Sequence, residues 1–570
     1  MNSFKKNRPK VGPLIDSNNT MVSGESEMVE LMASSLSTVF TNRDPPNQFP
    51  HQSSDSRFGG FVINTATVMK AIKSMGNSQS SGPDELHPHF IRLCCKELCY
   101  PLTLLFQESY ITGTIPNIWK KSNIIPIYKK GPKKDPLNYR PISLTSVLSK
   151  IMERIVVNQL MEYLETNHIL SEDQFGLRKG RSVEDQLLLT YEYVLRHLDN
   201  SCHVDLILLD FQKAFDTVNH TVLSQKLFAL GIRGPALHWL TNFLDGRSSR
   251  VSIGGSLSRP YPNTSGVPQG SVVGPILFLL LINDIFGPQD VQKKLFADDV
   301  KLYHAFSECP TSDNVLQDSL TWLNDKAISC GLRLNPDKCQ VIHFCYKRNC
   351  TPCSYYIDEH ILSTVTETTD LGVLVDRSLH FTKHVRKISN KTKGFSCNVL
   401  RRTVNCQPNF MMKTFTTYIR PLIEHSTILW NTNYVTNTRK LESIQRRWSS
   451  NIQGLKDISY AERLQSLDAY SIKGRLLRYD LIKMWKILHS ESPIPPYLIL
   501  TKTLNPNTRG HPLKLYVEYV RLDARKRSFP HRTIPIWNSL PENIACCTNL
   551  ETFKKRLHNH MHHLLIQYED

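Results

Sequence analysis

"LFADDVKLY", residues 295–303, sets two adjacent carboxylates, Asp298 and Asp299, between two apolar runs. The flanking residues alternate as those of a buried strand do, and a like-charge pair is costly to desolvate in such a place. Either the pair lies on a solvated acidic turn, or something strongly positive sits against it. Taken alone, an Asp-Asp pair between apolar residues is more often the solvated turn. The company it keeps has to decide.

"HVDLILLDFQKAF" is a continuous apolar strand that ends on Asp210. If this strand neighbours the first, three carboxylates meet at one edge of a sheet. Hard divalent cations such as Mg²⁺ bind carboxylate and phosphate oxygens, and two of them side by side clamp an in-line phosphoryl displacement; Mn²⁺ can replace them. The positive group would then be metal. Phe215, five residues beyond Asp210, offers a bulky ring to lie under the sugar of a nucleotide. "SGVPQGSVVGP" supplies a Gly-Pro-rich loop ahead of an apolar helix, able to bring backbone close to a ligand. Arg140 in "NYRPISL" and Lys129 and Lys130 in "IYKKG" are candidates to hold a triphosphate.

The 570 residues imply about two to four domains, and 40% apolar with 21% charged residues is ordinary globular composition. The formal charge of +18 is unevenly placed. Residues 376–570 carry 32 Lys+Arg against 14 Asp+Glu, whereas residues 1–375 hold 37 of each. A region that basic is an electrostatic footprint for phosphate backbones. The N-terminus lacks the apolar stretch of a signal peptide, and the oiliest run, "VVGPILFLLLI", is broken by Gly-Pro and too short to span a bilayer. The chain therefore reads as soluble and intracellular, and its 14 scattered cysteines as reduced thiols.

Residues 1–57 read as a polar, mobile spacer carrying one amphipathic helix, "MVELMASSLSTVF". "TATVMKAIKSMG" and "LTSVLSKIMERIVVNQLMEYLE" have helical period, while "SNIIPIYKKG", "CQVIHF" and "TTDLGVLVD" read as strands. From about Thr382 onward helical patterns dominate. A mixed αβ module is followed by a basic, helical one, with no internal repeat.

In order along the chain, "SSGPDEL", "IIPIYKKG", "NYRPISLTSVLSKIMERIV", "EDQFGLRKGRS", "LDFQKAFDTVNH", "SGVPQGSVVGPILFLLLINDI", "FADDVKLY", "GLRLNPDKC" and "DLGVLVD" resemble the reverse transcriptases of non-LTR (LINE-type) retrotransposons, especially the jockey-related group. The resemblance continues into "YIRPLIEHSTILWN", "LESIQRRW" and "IWNSLPENI", so nearly everything after residue 60 is covered. It implies an α+β right-hand polymerase: fingers and palm with an antiparallel sheet over 58–375, a helical thumb over 376–460 and a basic helical region over 461–570. It also implies an RNA-directed DNA polymerase that extends the 3′-end of a DNA primer or nicked target DNA on an RNA template, using deoxynucleoside triphosphates, in the nucleus and in cytoplasmic ribonucleoprotein. Carried over residue by residue, Asp210, Asp298 and Asp299 become the ligands of two Mg²⁺ ions and Phe215 the gate against a ribose 2′-hydroxyl. Gln269 and Gly270 match contacts to template and incoming nucleotide, Arg140 and either Lys129 or Lys130 match contacts to triphosphate, and Lys338 matches the residue that protonates pyrophosphate. The segment "ESEMVELMASSLSTVFTN" resembles the spacer just ahead of the polymerase, so endonuclease activity is not expected in this chain. The rival reading is a catalytically silent remnant that only binds RNA; the intact Asp210, Phe215, Gln269, Asp298 and Asp299 favour the enzyme.

Three further signals are weaker. His343, Cys345, Cys350 and Cys353 in "HFCYKRNCTPC" are a conceivable zinc set but match no knuckle spacing. "LHNHMHH" reads more simply as a solvated helix end than as a metal site. "ARKRS", 524–528, is either an import signal or an RNA-contacting turn. Trp485 and Trp537 read as core residues.

Overall fold

The computed structural model describes residues 11–40, 57–76, 80–287, 290–307, 315–346, 352–403, 405–501 and 510–566. At its centre the strand His203–Leu209 pairs antiparallel with Asp299–Phe306 on one side and Gln340–Phe344 on the other. Gln292–Phe296 and Ser363–Val365 complete a five-stranded sheet. The run of Val, Ile and Leu in the central strand follows from burial on both faces. Ile207, Leu209, Val300 and Leu302 face one core with the helix Gly274–Leu281, whereas Val204, Leu206 and Tyr303 face another with the helix Val183–Asp199.

A second sheet has Lys121–Tyr128 between Tyr139–Thr145, antiparallel, and Ser248–Ile253, parallel. Here the reading of residues 1–57 as a mobile spacer is corrected for residues 11–40. The helix Glu25–Ser37 turns Met28, Val29, Met32 and Leu36 onto Ile124, Tyr139 and Val251, because its apolar residues recur at helical spacing and the sheet offers them a dry face. Asp84 of "SGPDEL" caps the following helix Val147–Thr166: its Oδ2 accepts from the Ser146 hydroxyl at 2.7 Å and the Val147 N–H at 2.9 Å.

"TTDLGVLVD" is not one strand. It is a hairpin, Glu367–Asp370 paired with Val373–Asp376, and the turn uses positive φ at Leu371 and Gly372. From Thr382 the chain is helical, as the period suggested. The helix Val183–Asp199 joins the two halves, since its residues enter both the core around Trp448 and the core around Trp485 and Trp537. Asp185 pairs with Lys483 and Glu192 with Arg525, all four groups buried. In "ARKRS" the structure shows the end of a short helix, Asp523–Lys526, with Arg525 in an internal ion pair and Arg527 4.1 Å from the Tyr434 ring centroid.

Of the conceivable zinc set, His343 is engaged elsewhere. His343 Nδ1 lies 2.6 Å from Asp205 Oδ1 inside the central sheet, where Tyr355 donates to the other Asp205 oxygen; Cys350 lies outside the described residues. Among the described residues no helix is long and apolar enough to cross a membrane.

Candidate active site

Register answers the question posed by the acidic pair. Val300 lies opposite Leu209, so the next step of the ladder sets Asp299 across from Asp210. Ala297 and Asp298 form the two-residue turn between Gln292–Phe296 and Asp299–Phe306. Such turns need positive φ, and Ala297 adopts 54°, a conformation alanine does not favour by itself. A clasp holds it there. Gln174 Oε1 accepts from Ala297 N at 3.2 Å and Gly176 N at 2.7 Å, while Phe175 N donates to Leu295 O at 2.8 Å and Leu295 N to Asp173 O at 2.9 Å. A Cβ on Gly176 would lie 2.3 Å from Ala297 N, so "QFG" fits only with glycine.

Asp210 is fixed from the other side. Its carbonyl accepts from Asn335 N at 2.8 Å, Phe211 bridges to Leu334, and Lys338 Nζ reaches back to Asp210 Oδ2 at 2.7 Å. "NPDK" is therefore a turn that delivers a lysine to the carboxylates.

The electrostatics agree with this gathering. Burial, then the charges of Asp298, Asp210 and Asp370, push the Asp299 carboxyl up to about 6, against the pull of Lys301. Asp298 is raised by burial and by Asp210, and lowered by Arg140 and Lys129. Lys129 is itself lowered by burial, then by Arg140 and Lys338. Three acids and three cations thus share one field. Of the two candidate lysines, Lys129 acts on Asp298, whereas Lys130 enters only as the weakest influence on Lys129. Among the described residues no three His, Cys, Asp or Glu side chains are drawn close enough to enclose an ion, and Asp210 gives one oxygen to Lys338. The donor set nonetheless fits a hard cation: oxygen only, and crowded carboxylates whose mutual repulsion a cation would relieve.

The loop 265–270 is laid between this centre and the second sheet. Gln269 O accepts from Ser143 N at 2.7 Å, which ties the loop to the strand that carries Arg140. Gly270 has φ 134°, and a Cβ there would stand 2.3 Å from Ser143 O. Gln269 Nε2 donates to Asp216 Oδ1 at 2.9 Å, and Val267 N donates to Phe215 O at 2.7 Å. The Phe215 ring stacks on Phe278 at 4.6 Å, half-buried at the edge of the core. Burial, opposed by the Gln269 hydrogen bond, pushes Asp216 up to about 6.

Several residues that build the site were not singled out from sequence: Gln174 and Gly176 of the clasp, Asp216, Glu153 and Lys301. Glu153 is fully buried and accepts from Val272 N at 2.6 Å and Val273 N at 3.2 Å, fixing the end of the loop. Lys301 lay in plain view. A lysine at a core position of a strand demands a partner, and the partner is Asp370, 2.7 Å away.

The comparisons with known proteins agree with this geometry. Residues 129–390 match the family model described as reverse transcriptase (RNA-dependent DNA polymerase). This chain carries a reverse transcriptase domain of the non-LTR retrotransposon family. The chain is 30% identical over 412 residues to the probable RNA-directed DNA polymerase from transposon X-element of Drosophila melanogaster, covering 69% of this chain and 44% of that protein. It is 28% identical over 401 residues to the corresponding protein of transposon BS, with 68% and 44% covered. It is 29% identical over 350 residues to the RNA-directed DNA polymerase from mobile element jockey, with 60% and 38% covered, both in the same organism. The chain thus spans less than half the length of these relatives. The matched reverse transcriptase segment contains all three candidate carboxylates, Lys338, Phe215 and the 265–270 loop.

Proposed function

We propose that this chain is an RNA-directed DNA polymerase that extends a DNA 3′-end, at a primer or nicked target, on an RNA template with deoxynucleoside triphosphates. The observation that carries the reading is the shared field of Asp210, Asp298, Asp299, Lys338, Lys129 and Arg140 at one sheet edge. In this reading the central sheet is the palm, the sheet of Lys121–Tyr128 the fingers, and the helices after Thr382 the thumb. Asp210, Asp298 and Asp299 would hold two Mg²⁺ ions, or Mn²⁺, which supply activation of the primer hydroxyl and neutralisation of the leaving pyrophosphate.

The protein's own groups do the rest. Arg140 and Lys129 orient the triphosphate by charge-assisted hydrogen bonds. Lys338, exposed beside Asp210, donates a proton to pyrophosphate as it departs. Phe215 presents an apolar wall where a ribose 2′-hydroxyl would sit, and cannot hydrogen-bond it. Gln269 and Gly270 bring backbone and amide to the template and incoming nucleotide, held at that distance by Ser143 and Asp216. Primer extension on an RNA template tests the reading, with Asp298→Asn as control. The parent extends only with divalent cation, and the variant loses extension by about a hundredfold or more while still binding duplex. Extension by the variant within a few-fold of the parent would remove the metal assignment.

A further inference from the structure

The clasp that holds Ala297 also holds out a leucine. Leu177 follows Gly176 directly, has φ 62° and is 43% exposed. A bulky side chain rarely adopts the left-handed region, and such a conformation persists only where the surroundings impose it. Here they impose it from both sides. Gly176 N is tied to Gln174 Oε1, while Arg178, 9% exposed, donates to Glu165 Oε1 at 2.9 Å and to Ser171 O at 2.7 Å. Arg181 is spent in the same way, on Glu172 and the Phe175 ring. Of "GLRKGR", only Leu177, Lys179 and Gly180 are exposed. A Cβ on Gly176 would lie 2.3 Å from Ala297 N, and consecutive Cα atoms stand about 3.8 Å apart, so Leu177 is rooted within about 8 Å of the residue that precedes Asp298.

The fold gives this position a direction. Along the sheet edge the order runs from the turn of Lys338, joined to Asp210 through Asn335 N, across Asp210 and Asp299 to Ala297, and on to Gln174–Leu177, which Gln174 bridges to Leu295. The cations suited to a triphosphate gather at the first end: Lys338 is paired with Asp210, and Lys129 feels the charges of Arg140, Lys338 and Asp210. In an in-line displacement the bond formed, from the primer 3′-oxygen to the α-phosphorus, lies opposite the bond broken, from that phosphorus to the pyrophosphate oxygen. With pyrophosphate leaving toward Lys338, the primer end has to arrive from the side of Ala297 and Leu177.

We infer that Leu177 is the seat of the primer's terminal nucleotide: its side chain packs against the sugar that bears the attacking 3′-hydroxyl, and Lys179 takes a phosphate of the same strand. The inference rests on the proposed polymerase reading and deepens it by naming what positions the nucleophile. A sugar edge is largely C–H surface and is the same for all four nucleotides, so an aliphatic side chain meets it without reading sequence. A leucine fastened through both neighbours acts as a stop, and a hydroxyl displaced from line loses rate steeply.

Single-nucleotide addition to a DNA primer on an RNA template, with the full chain and Mg²⁺, tests this. Leu177→Gly removes the stop and suits the left-handed backbone, so the melting temperature should hold or rise while kcat falls by about tenfold or more and nucleotide KM moves by less than about twofold. Leu177→Met, of similar volume, should keep kcat within about threefold of the parent's. Lys179→Gln should lower the salt slope of primer–template binding by about one. A Leu177→Gly chain whose kcat stays within about twofold of the parent's overturns the inference, as does a loss carried by nucleotide KM or one that Leu177→Met shares in full. A parent that extends no primer with any divalent cation overturns the polymerase reading instead.

Discussion

Lys301 is the residue whose removal should teach most about how the acidic pair is held. It sits 1% exposed on the strand Asp299–Phe306, with its Nζ 2.7 Å from Asp370 Oδ1, and Tyr191 donates to Asp370 Oδ2 at 2.8 Å. The group links three elements: the strand beginning at Asp299, the hairpin Glu367–Asp370/Val373–Asp376, and the helix Val183–Asp199. Lys301→Met leaves Asp370 charged and buried, and Asp370→Leu leaves the ammonium so, each at a cost of about 3–5 kcal/mol. The double variant removes both charges and strands the Tyr191 hydroxyl and, more weakly bonded at 3.5 Å, the Gln186 amide oxygen, together at a cost of about 1–3 kcal/mol. The double variant should therefore be more stable than either single, with a coupling energy of at least about 3 kcal/mol. Urea unfolding followed by tryptophan fluorescence, comparing midpoints of variants with equal slopes, reads this directly. Primer extension supplies the functional half: Lys301→Met removes the one cation that draws Asp299 down, so the acid limb of its pH profile moves to higher pH. Additive losses in the double variant, or a single substitution costing under about 1 kcal/mol, would refute the argument that the pair acts as a unit.

Other outcomes follow from the same geometry. Phe215→Val should raise ribonucleotide incorporation by roughly one to two powers of ten, read as the ratio of kcat/KM for ribo- and deoxynucleotides, with deoxynucleotide use falling less. Gly270→Ala forces a Cβ to within 2.3 Å of Ser143 O and should cut extension by about tenfold or more through nucleotide KM, measured on a chain whose melting temperature is checked separately. Asp299 has a folded value of about 6, above its ordinary 3.8, so the folded chain binds that proton more tightly and loses stability as pH rises between those values. A cation that replaces the proton should restore it. Added Mg²⁺ should raise the melting temperature more at about pH 7.5 than at about pH 5, and Asp298→Asn should erase most of that difference.

The central strand, the major helices and the basic helical half are legible because each depends on local period or composition. "HVDLILLD" reads as a strand from its apolar run, and the structure adds that Asp205 inside it is satisfied by His343 and Tyr355, partners 138 and 150 residues away that no local pattern announces. The hairpin at 367–376 was read as a single strand because its turn, Leu371-Gly372, offers only one of the usual turn residues. The helix Glu25–Ser37 was legible as a helix, yet its attachment was not: an amphipathic face states that it will be buried and leaves open against what.

The same distinction applies to the site. Residues that would touch substrate or metal stand out in sequence, since Asp, Lys and Arg are costly to place in an apolar strand or a tight turn. Residues that hold them look ordinary. Gln174 could be any surface amide until its Oε1 is found accepting from the N–H of a strained alanine beside Asp298, and Gly176 any loop glycine until a Cβ is built against that same nitrogen. Glu153, Ser143 and Asp216 act likewise, each hydrogen-bonding from outside to the 265–273 segment. A polymerase site must keep its carboxylates crowded before any cation arrives, against burial and a mutual repulsion that together push Asp299 up to about 6. Only contacts from outside the turn can impose that crowding, and the clasp supplies them from a segment 123 residues away in sequence.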